Sequence, residues 1–256
     1  ATLGVSELDF SSGPTSRFDR ANICRVRLDN GDLQSVSELA LLGGANTAAI
    51  ENTSGDWEVF QFRDATLVAP STYELTVLLR GQAGTEKAMG SPVPTGARFV
   101  FLDSSVAQVD MTADEIALDF NWKYGPISRD IGHPSYQDQV RAFSGLGLRP
   151  LSPVHVRAAP TGNDVKISWI RRTRLGGDSW DTSEVPLAED TERYEVDILD
   201  GALVKRTLAS GVTSVTYSKS DQIADWGAPQ STYNVNVFQL SAAYGRGQRR
   251  EAQIHV

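Results

Sequence analysis

Three histidines, at positions 133, 155 and 255, are the side chains best suited to general-base chemistry at neutral pH. No two of them are close in sequence. His155 and His255 each lie between two apolar residues with strand periodicity, so both are expected to point outward from exposed strand faces. His133 sits in a Gly-His-Pro turn without a recognisable triad pattern. We therefore assign no catalytic residue and no metal ligand to the histidines.

The single cysteine, Cys24, excludes an internal disulfide and a cysteine zinc site. It alternates with Val26 and Leu28, which predicts a buried thiol that behaves as a small apolar group. The glycines form neither a phosphate-binding loop nor a dinucleotide fingerprint. No cofactor is predicted.

The segment from residue 171 to residue 193 concentrates charge around one tryptophan: Arg171, Arg172, Arg174, Asp178, Trp180, Asp181, Glu184, Glu189, Asp190, Glu192 and Arg193. In a structural interpretation, the arginines pair with the carboxylates and Trp180 packs onto the domain, which fixes an entropically costly loop. In a functional interpretation, Trp180 offers a flat apolar face beside hydrogen-bonding groups to a sugar ring or a partner protein. The candidate contacts are then Trp180, Asp178, Asp181, Arg172 and Arg174.

Calcium is a third alternative for this segment, because carboxylates are the hard ligands that calcium prefers. The alternate-residue spacing of a calcium-binding loop is missing, however. We therefore predict no metal site.

A second cluster of carboxylates, formed by Asp110, Asp114, Glu115 and Asp119, is the nearest candidate for an enzyme site. Glycoside hydrolysis needs two carboxyl groups across a cleft, about 5 to 9.5 Å apart. The alternative to a non-enzymatic protein is thus a carbohydrate-active domain that degrades or binds envelope polysaccharide.

Composition restricts the function classes. The 256 residues are 40% hydrophobic and 22% charged, which is typical of a folded protein. A net charge of −8 disfavours a general phosphate-binding surface, so nucleic acid is not predicted as a partner. The longest uncharged stretch, 226–245, contains Gln, Ser, Thr, Asn and Pro229, so no membrane span is predicted. The chain begins at Ala1, and we expect it to be a fragment of a longer protein.

Apolar residues alternate with polar ones through most of the first half, which predicts strands with one buried face. The predicted strands are 23–28, paired as a hairpin with the apolar run 33–41, then 57–63, 65–68, 72–79, 97–102 and 106–111. Thr112 and Glu115 match a capping box, which predicts a single helical turn. Residues 1–150 are predicted to form a β-rich domain, either as one unit or as two subdomains.

The second half carries short strands at regular spacing, after a Pro- and Gly-containing linker at 145–153, and the domain boundary is predicted near residue 150. Each strand has two or three alternating apolar residues: Val154 and Val156; Val165, Ile167 and Trp169; Tyr194, Val196 and Ile198; Val215 and Tyr217; Tyr233, Val235 and Val237; Ala252, Ile254 and Val256. About seven short strands in about 100 residues are typical of a two-sheet antiparallel sandwich. The predicted fold class is all-β, mainly antiparallel.

Residues 151–256 resemble a fibronectin type III domain. Pro153 precedes the first strand, Trp169 lies in the second and Tyr194 opens the third, while Tyr233-x-Val-x-Val leads to Gly245-x-Gly. The segment departs from that pattern in the long loop at 171–192.

Two longer segments resemble the C-terminal region of the large tail protein of alphaproteobacterial gene transfer agents and related siphophages. They are WEVFQFRDATLV from residue 57 with its continuation at 73–86, and SWIRRTRLGGDSW from residue 168. That family, often called the megatron, is distantly related to host-specificity tail-tip proteins. The resemblance implies a trimeric protein at the distal end of the tail, of which only the β-rich last part is present.

The same resemblance implies a structural and attachment role without enzymatic activity. The partners would be other tail or baseplate proteins and a polysaccharide on the recipient cell surface. The protein would be made in the bacterial cytoplasm and would function in the tail of a phage-like particle.

Overall fold

The computed structural model describes residues 1–89, 93–177 and 184–256. The chain divides into two compact units, Ala1–Asp110 and Met111–Val256. Antiparallel strands dominate both units, which confirms the predicted all-β class. In the described ranges, the helices are too short or too polar for any of them to cross a lipid bilayer.

The first unit is a closed antiparallel barrel of six strands. They are β1 (Thr2–Ser6), β2 (Cys24–Leu28), β3 (Thr47–Glu51), β4 (Trp57–Ala69), β5 (Thr72–Gln82) and β6 (Arg98–Phe101). Their order around the barrel is β1-β2-β5-β4-β3-β6, and β6 closes the sheet by pairing with β1. A short helix, α1 (Glu38–Leu42), and a 3₁₀ turn, Glu86–Ala88, lie in the connections.

Alternating apolar residues of the strands fill the barrel interior. Val26 and Leu28 from β2, Leu75 from β5 and Phe99 from β6 are almost fully buried. Phe60 and Phe62 are fully buried on β4. Cys24 belongs to the same core, and desolvation raises the pKa of its thiol.

A buried ion-pair network connects β4 and β5 with the loop that precedes β2. The guanidinium of Arg80 donates to both carboxylate oxygens of Glu58, at 2.7 and 2.8 Å. It also donates to Asp19 at 3.2 Å and lies 3.7 Å from the centre of the Phe10 ring. Burial alone would raise the pKa of Asp19, but hydrogen bonds from Asn22, the backbone and Arg80 lower it overall. We name these three side chains, Arg80, Glu58 and Asp19, the barrel triad.

Three element predictions in this unit are wrong. The run 33–41 does not pair with β2, because Ser37 caps α1 there by accepting from the Ala40 amide, and β2 pairs with β1 and β5 instead. Asp64 does not end a strand, since β4 continues through it and pairs Asp64 with Thr76. Residues 106–111 form no strand in the described structure, because they are largely exposed and lack a pairing partner.

The second unit begins with a two-stranded hairpin and ends with a sandwich. The predicted helical turn is confirmed at Ala113–Glu115, where Thr112 and Glu115 form the capping box. The hairpin pairs β7 (Asp119–Tyr124) with β8 (Gln137–Ala142), and a 3₁₀ turn follows at Leu146–Leu148.

The sandwich contains two antiparallel sheets. Its elements are β9 (Val154–Thr161), β10 (Asp164–Ile170), β11 (Tyr194–Asp200), β12 (Leu203–Ser210), β13 (Ser214–Tyr217), α2 (Lys219–Trp226), β14 (Thr232–Ser241), β15 (Gly245–Arg246) and β16 (Arg250–His255). One sheet has the order β13-β10-β9, and in the other β11 lies between β12 and β14, which also pairs with β15 and β16. The predicted two-sheet sandwich is confirmed, whereas β12 and α2 were missed.

The predicted inward faces of the strands meet in one core between the sheets. Ile167, Val196, Ile198 and Val237 are completely buried there. The boundary predicted near residue 150 lies inside the second unit, just before β9. The assignment of residues 1–150 and 151–256 as separate domains stays a prediction.

A polar network attaches α2 to the sandwich. Asp225 accepts two hydrogen bonds from Arg206 on β12, at 2.7 and 2.9 Å, and one from the Tyr217 hydroxyl at 2.7 Å. The hydrogen bonds from Arg206, followed by those from Tyr217, lower the pKa of Asp225 against the effect of burial. The folded state therefore binds a proton at this carboxyl less readily than the unfolded state does.

The Asp225→Asn substitution should reduce the pH dependence of stability. In the wild-type chain the contribution of Asp225 is present above the unfolded-state pKa of about 4 and is lost as pH falls through the lower folded-state pKa. At pH 7 the variant should lose about 1.5 to 3 kcal/mol, because a hydrogen bond to a charged group is removed. Urea unfolding at pH 7, 4 and 3 should show the free energies of unfolding of the wild type and of Asp225→Asn converging as the pH falls. Parallel curves would show that Asp225 is not a source of the pH dependence.

Candidate ligand-binding loop of the sandwich

The long loop of the sandwich connects β10 with β11, so both of its ends are fixed by the core. Trp169 on β10 packs edge-on against Tyr194, the first residue of β11, with ring centres 5.2 Å apart. The Tyr194 hydroxyl donates to Glu192 at 2.9 Å. Desolvation, reinforced by this bond to a carboxylate, raises the pKa of Tyr194. The C-terminal end of the loop is therefore held in register with the sheet.

Arg171 ties the two halves of the loop together. Its guanidinium pairs with Glu192 at 3.2 Å and with Glu184 at 3.2 Å. It also donates to the carbonyl oxygen of Val185 at 2.7 Å. Because the Arg171 side chain is largely buried, these bonds restrict the loop more than surface ion pairs would.

Arg174 and Arg172 make further anchoring contacts. Arg174 pairs with Glu189 at 3.2 Å, and only 5% of the Glu189 side chain is exposed. Arg174 also donates to the carbonyl oxygen of Ala188 at 3.2 Å. Arg172 donates to the hydroxyl of Ser152, which lies just before β9, at 3.4 Å. The expected pairing of arginines with carboxylates is thus present in the described part of the loop.

Three of the five candidate contact residues, Asp178, Trp180 and Asp181, lie outside the described residues. Their predicted roles in ligand contact, and the packing of Trp180, stay predictions. Arg172 and Arg174 belong to the anchor of the loop, and their predicted contact with a ligand also stays untested.

A pocket of about 510 Å³ lies where the loop leaves β10. It is lined by both strand and loop residues, among them Trp169, Ile170, Arg171, Glu192, Val212 and Thr213. Trp169 is only 4% exposed. Its indole Nε1–H and the Nε–H of Arg171 are buried and have no hydrogen-bond partner among the described residues. We name this cavity the Trp169 pocket.

Sequence reasoning missed the Trp169 pocket because it depends on long-range strand pairing. Ser168 pairs with Ser214, and the amide of Trp169 donates to the carbonyl oxygen of Thr213 at 3.1 Å. This pairing brings Val212 and Thr213 to the pocket, although they lie more than forty residues after Trp169 in the chain. The apolar spacing of Trp169 marks it as a core residue, and the core position is confirmed.

All three histidines and three of the four carboxylates of the enzyme alternative lie at exposed positions. His155 and His255 are exposed on strands, as predicted, and His133 is exposed in a turn. Asp114 is exposed, and its hydrogen bond to Thr112 lowers its pKa, whereas a glycosidase acid needs a raised pKa. Glu115 accepts from the amide and hydroxyl of Thr112 and so serves the capping box.

Asp110 and Asp119 are likewise exposed. In the part of the chain that the structure describes, no three His, Cys, Asp or Glu side chains are grouped so that they could hold a metal ion.

The segment that contains the barrel is similar to one described family. The model of the family described as "Rcc01698-like, C-terminal" matches residues 1–100, which is less than half of the chain. This match is consistent with a protein related to gene transfer agents. No curated protein matches the chain.

Several solved structures are similar to the chain at low overall agreement. Domains d3–d4 of the rat CD45 extracellular region share 11% identity over 59% of this chain and 72% of theirs, with a TM-score of 0.28. The FN1–FN3 domains of chicken CNTN1 share 14% over 96% of this chain and 65% of theirs, with a TM-score of 0.30. The glycoside hydrolase domain Spr0440, Endo-D, of Streptococcus pneumoniae R6 shares 12% sequence identity over 96% of this chain and 32% of its own, with a TM-score of 0.26. TM-scores this low assign neither fold nor function.

Proposed function

We propose that the chain is a non-enzymatic structural and attachment module of a phage-like tail tip or baseplate. The observation that carries the proposal is the anchored loop on the sandwich, whose base is fixed by the ion pairs of Arg171 and Arg174. A rigid scaffold that holds a long loop can present a binding surface without rearranging its core. The family match of residues 1–100 supports the connection with gene transfer agents.

In the particle, the module would contact neighbouring tail proteins and a polysaccharide on the recipient cell. We infer a homotrimer around the tail axis, since three copies of a weak site would bind a repetitive surface with increased avidity. The protein would be made in the bacterial cytoplasm and released as part of the particle tail.

The proposal is tested with the intact chain in two assays. The labelled chain should bind recipient cells and should reduce the adsorption of particles when it is present in excess. In pull-down experiments it should capture at least one tail or baseplate protein of the same particle. If it neither binds cells nor captures a tail protein, the attachment and assembly role is wrong.

Loosening the loop should weaken cell binding. Arg174→Met removes the partner of Glu189, whose carboxylate is then buried without its ion pair. We expect about tenfold weaker binding to cells, which corresponds to about 1.4 kcal/mol. The matched control is Lys205→Met, which removes the exposed pair with Asp200 at 3.4 Å near the turn between β11 and β12. Equal effects of the two substitutions would contradict a role of the loop.

A further inference from the structure

We propose that the Trp169 pocket binds a neutral sugar ring. This inference rests on the proposed attachment function and specifies the chemistry of one of its ligands. The volume of about 510 Å³ is within the range of about 300 to 1,000 Å³ that small-ligand sites occupy. The walls combine exposed aliphatic side chains, Ile170 and Val212, with the polar groups of Trp169, Arg171 and Glu192.

The first argument is the pair of buried donors. The Nε1–H of Trp169 and the Nε–H of Arg171 have no acceptor among the residues that the structure describes. A buried donor without a partner costs about 1 to 3 kcal/mol. Both residues line the pocket, so a ligand oxygen that reaches either N–H after a small side-chain shift would remove this cost, and these donors therefore favour an oxygen-rich ligand.

The second argument is the position of the acceptors. Arg171 and the Tyr194 hydroxyl both donate to Oε1 of Glu192. A carboxylate can accept about four hydrogen bonds, so Oε2 of Glu192 keeps the capacity to accept from a ligand hydroxyl. A sugar hydroxyl donates one hydrogen bond and accepts others, so adjacent hydroxyls can satisfy Glu192 and the two N–H donors together.

The third argument is charge. Glu184 and Glu192 line the pocket with Arg171 as their cation, so two negative charges face one positive charge. Negative ligands such as phosphates and uronic acids are therefore disfavoured. The donors are side chains at separate positions and not a row of backbone groups along a sheet edge, so they suit a compact ring better than an added peptide strand.

The test uses the intact ¹⁵N-labelled chain and three neutral probes: methyl α-glucopyranoside, methyl β-galactopyranoside and N-acetylglucosamine. At least one should shift the indole N–H resonance of Trp169 saturably, with a dissociation constant of about 1 to 10 mM, equivalent to about −4 to −3 kcal/mol. Glucuronate should bind at least about tenfold more weakly than the matching neutral glucoside because of its charge. The Trp169 signal is assigned by its absence from the Trp169→Phe variant.

Two variants and one matched control complete the design. Trp169→Phe removes the N–H but keeps an aromatic ring against Tyr194, and Val212→Phe fills the pocket from its exposed rim. Both should weaken sugar binding at least about tenfold. Binding by Trp169→Phe, which lacks the indole signal, is followed through the backbone amide resonances of the pocket residues Ile170, Val212 and Thr213. Trp122→Phe, the same substitution on the hairpin, should leave sugar binding unchanged. The dispersion of the remaining amide signals shows whether each variant is folded.

The proposal is overturned if none of the three neutral sugars shifts the Trp169 signal at about 50 mM, a concentration well above the expected dissociation constant. It is also overturned if the folded Trp169→Phe and Val212→Phe variants bind as the wild type does. A tail protein that shifts this signal while no sugar does would assign the pocket to a protein partner instead. Cell binding without sugar binding would leave the attachment role intact, whereas sugar binding without cell binding or capture of tail proteins would support only the pocket.

Discussion

The Arg80→Met substitution should lower the free energy of unfolding of the barrel unit by about 3 to 5 kcal/mol. The reason is the barrel triad, in which the Arg80, Glu58 and Asp19 side chains are at most 1% exposed. Methionine fills much of the space of arginine but leaves two buried carboxylates without their cation. Urea unfolding, combined with hydrogen exchange of peptides from β4 and β5, measures the loss.

The matched control for Arg80→Met is Arg98→Met. Arg98 also pairs with a glutamate, Glu51 at 2.5 Å, but 68% of its side chain is exposed. Exposed ion pairs contribute about 0 to 1 kcal/mol, so the control should unfold almost as the wild type does. Similar losses in the two variants would show that burial of the triad does not determine its contribution.

The Gly247→Ala substitution should destabilise the sandwich by about 3 kcal/mol, because the position has no room for a methyl group. A Cβ at Gly247 would lie 2.6 Å from the carbonyl oxygen of Pro150 and 2.9 Å from that of Gln239. Both oxygens belong to the backbone, and the amide of Gln248 donates to Pro150 at 2.8 Å. Relief of the clash would therefore break the contact that holds the segment before β9 against the sandwich. Thermal unfolding of the intact chain measures the loss.

Gly147→Ala is the matched control for this substitution. Gly147 lies in the 3₁₀ turn Leu146–Leu148, and a Cβ there would meet no atom of the described residues within 4 Å. The control should change stability by no more than about 0.5 kcal/mol. An equal, small effect at Gly247 would mean that the backbone at Pro150 can move away without loss.

Much of the fold could be predicted, because apolar residues at every second position identify both a strand and the face of that strand that is buried. The alternation of Val165, Ile167 and Trp169 identifies β10 and its inward face, and the structure confirms both. The run 33–41 was ambiguous, because a short apolar run has no clear period. The local signal for a helix there is Ser37, a preferred N-cap residue directly before Glu38.

The site could be predicted only in part. Arginines close to carboxylates in one loop predict ion pairs, and Arg171 and Arg174 make them. The sequence could not predict the partners of Arg171 individually, since each depends on how the loop folds back. The Trp169 pocket was out of reach because the pairing of β10 with β13 brings Val212 and Thr213 to it. Whether a buried indole N–H finds an acceptor depends on side-chain rotamers that no sequence pattern specifies.

The burial of Cys24 has a practical consequence for studying the chain on cells. Only 1% of this residue is exposed, the chain has no other cysteine, and its thiol has a raised pKa, so it should react slowly with maleimides under native conditions. A cysteine introduced on an exposed strand position would then be the preferred point for attaching a fluorophore. Single-site labels could thus be compared around the molecule without first removing the natural thiol.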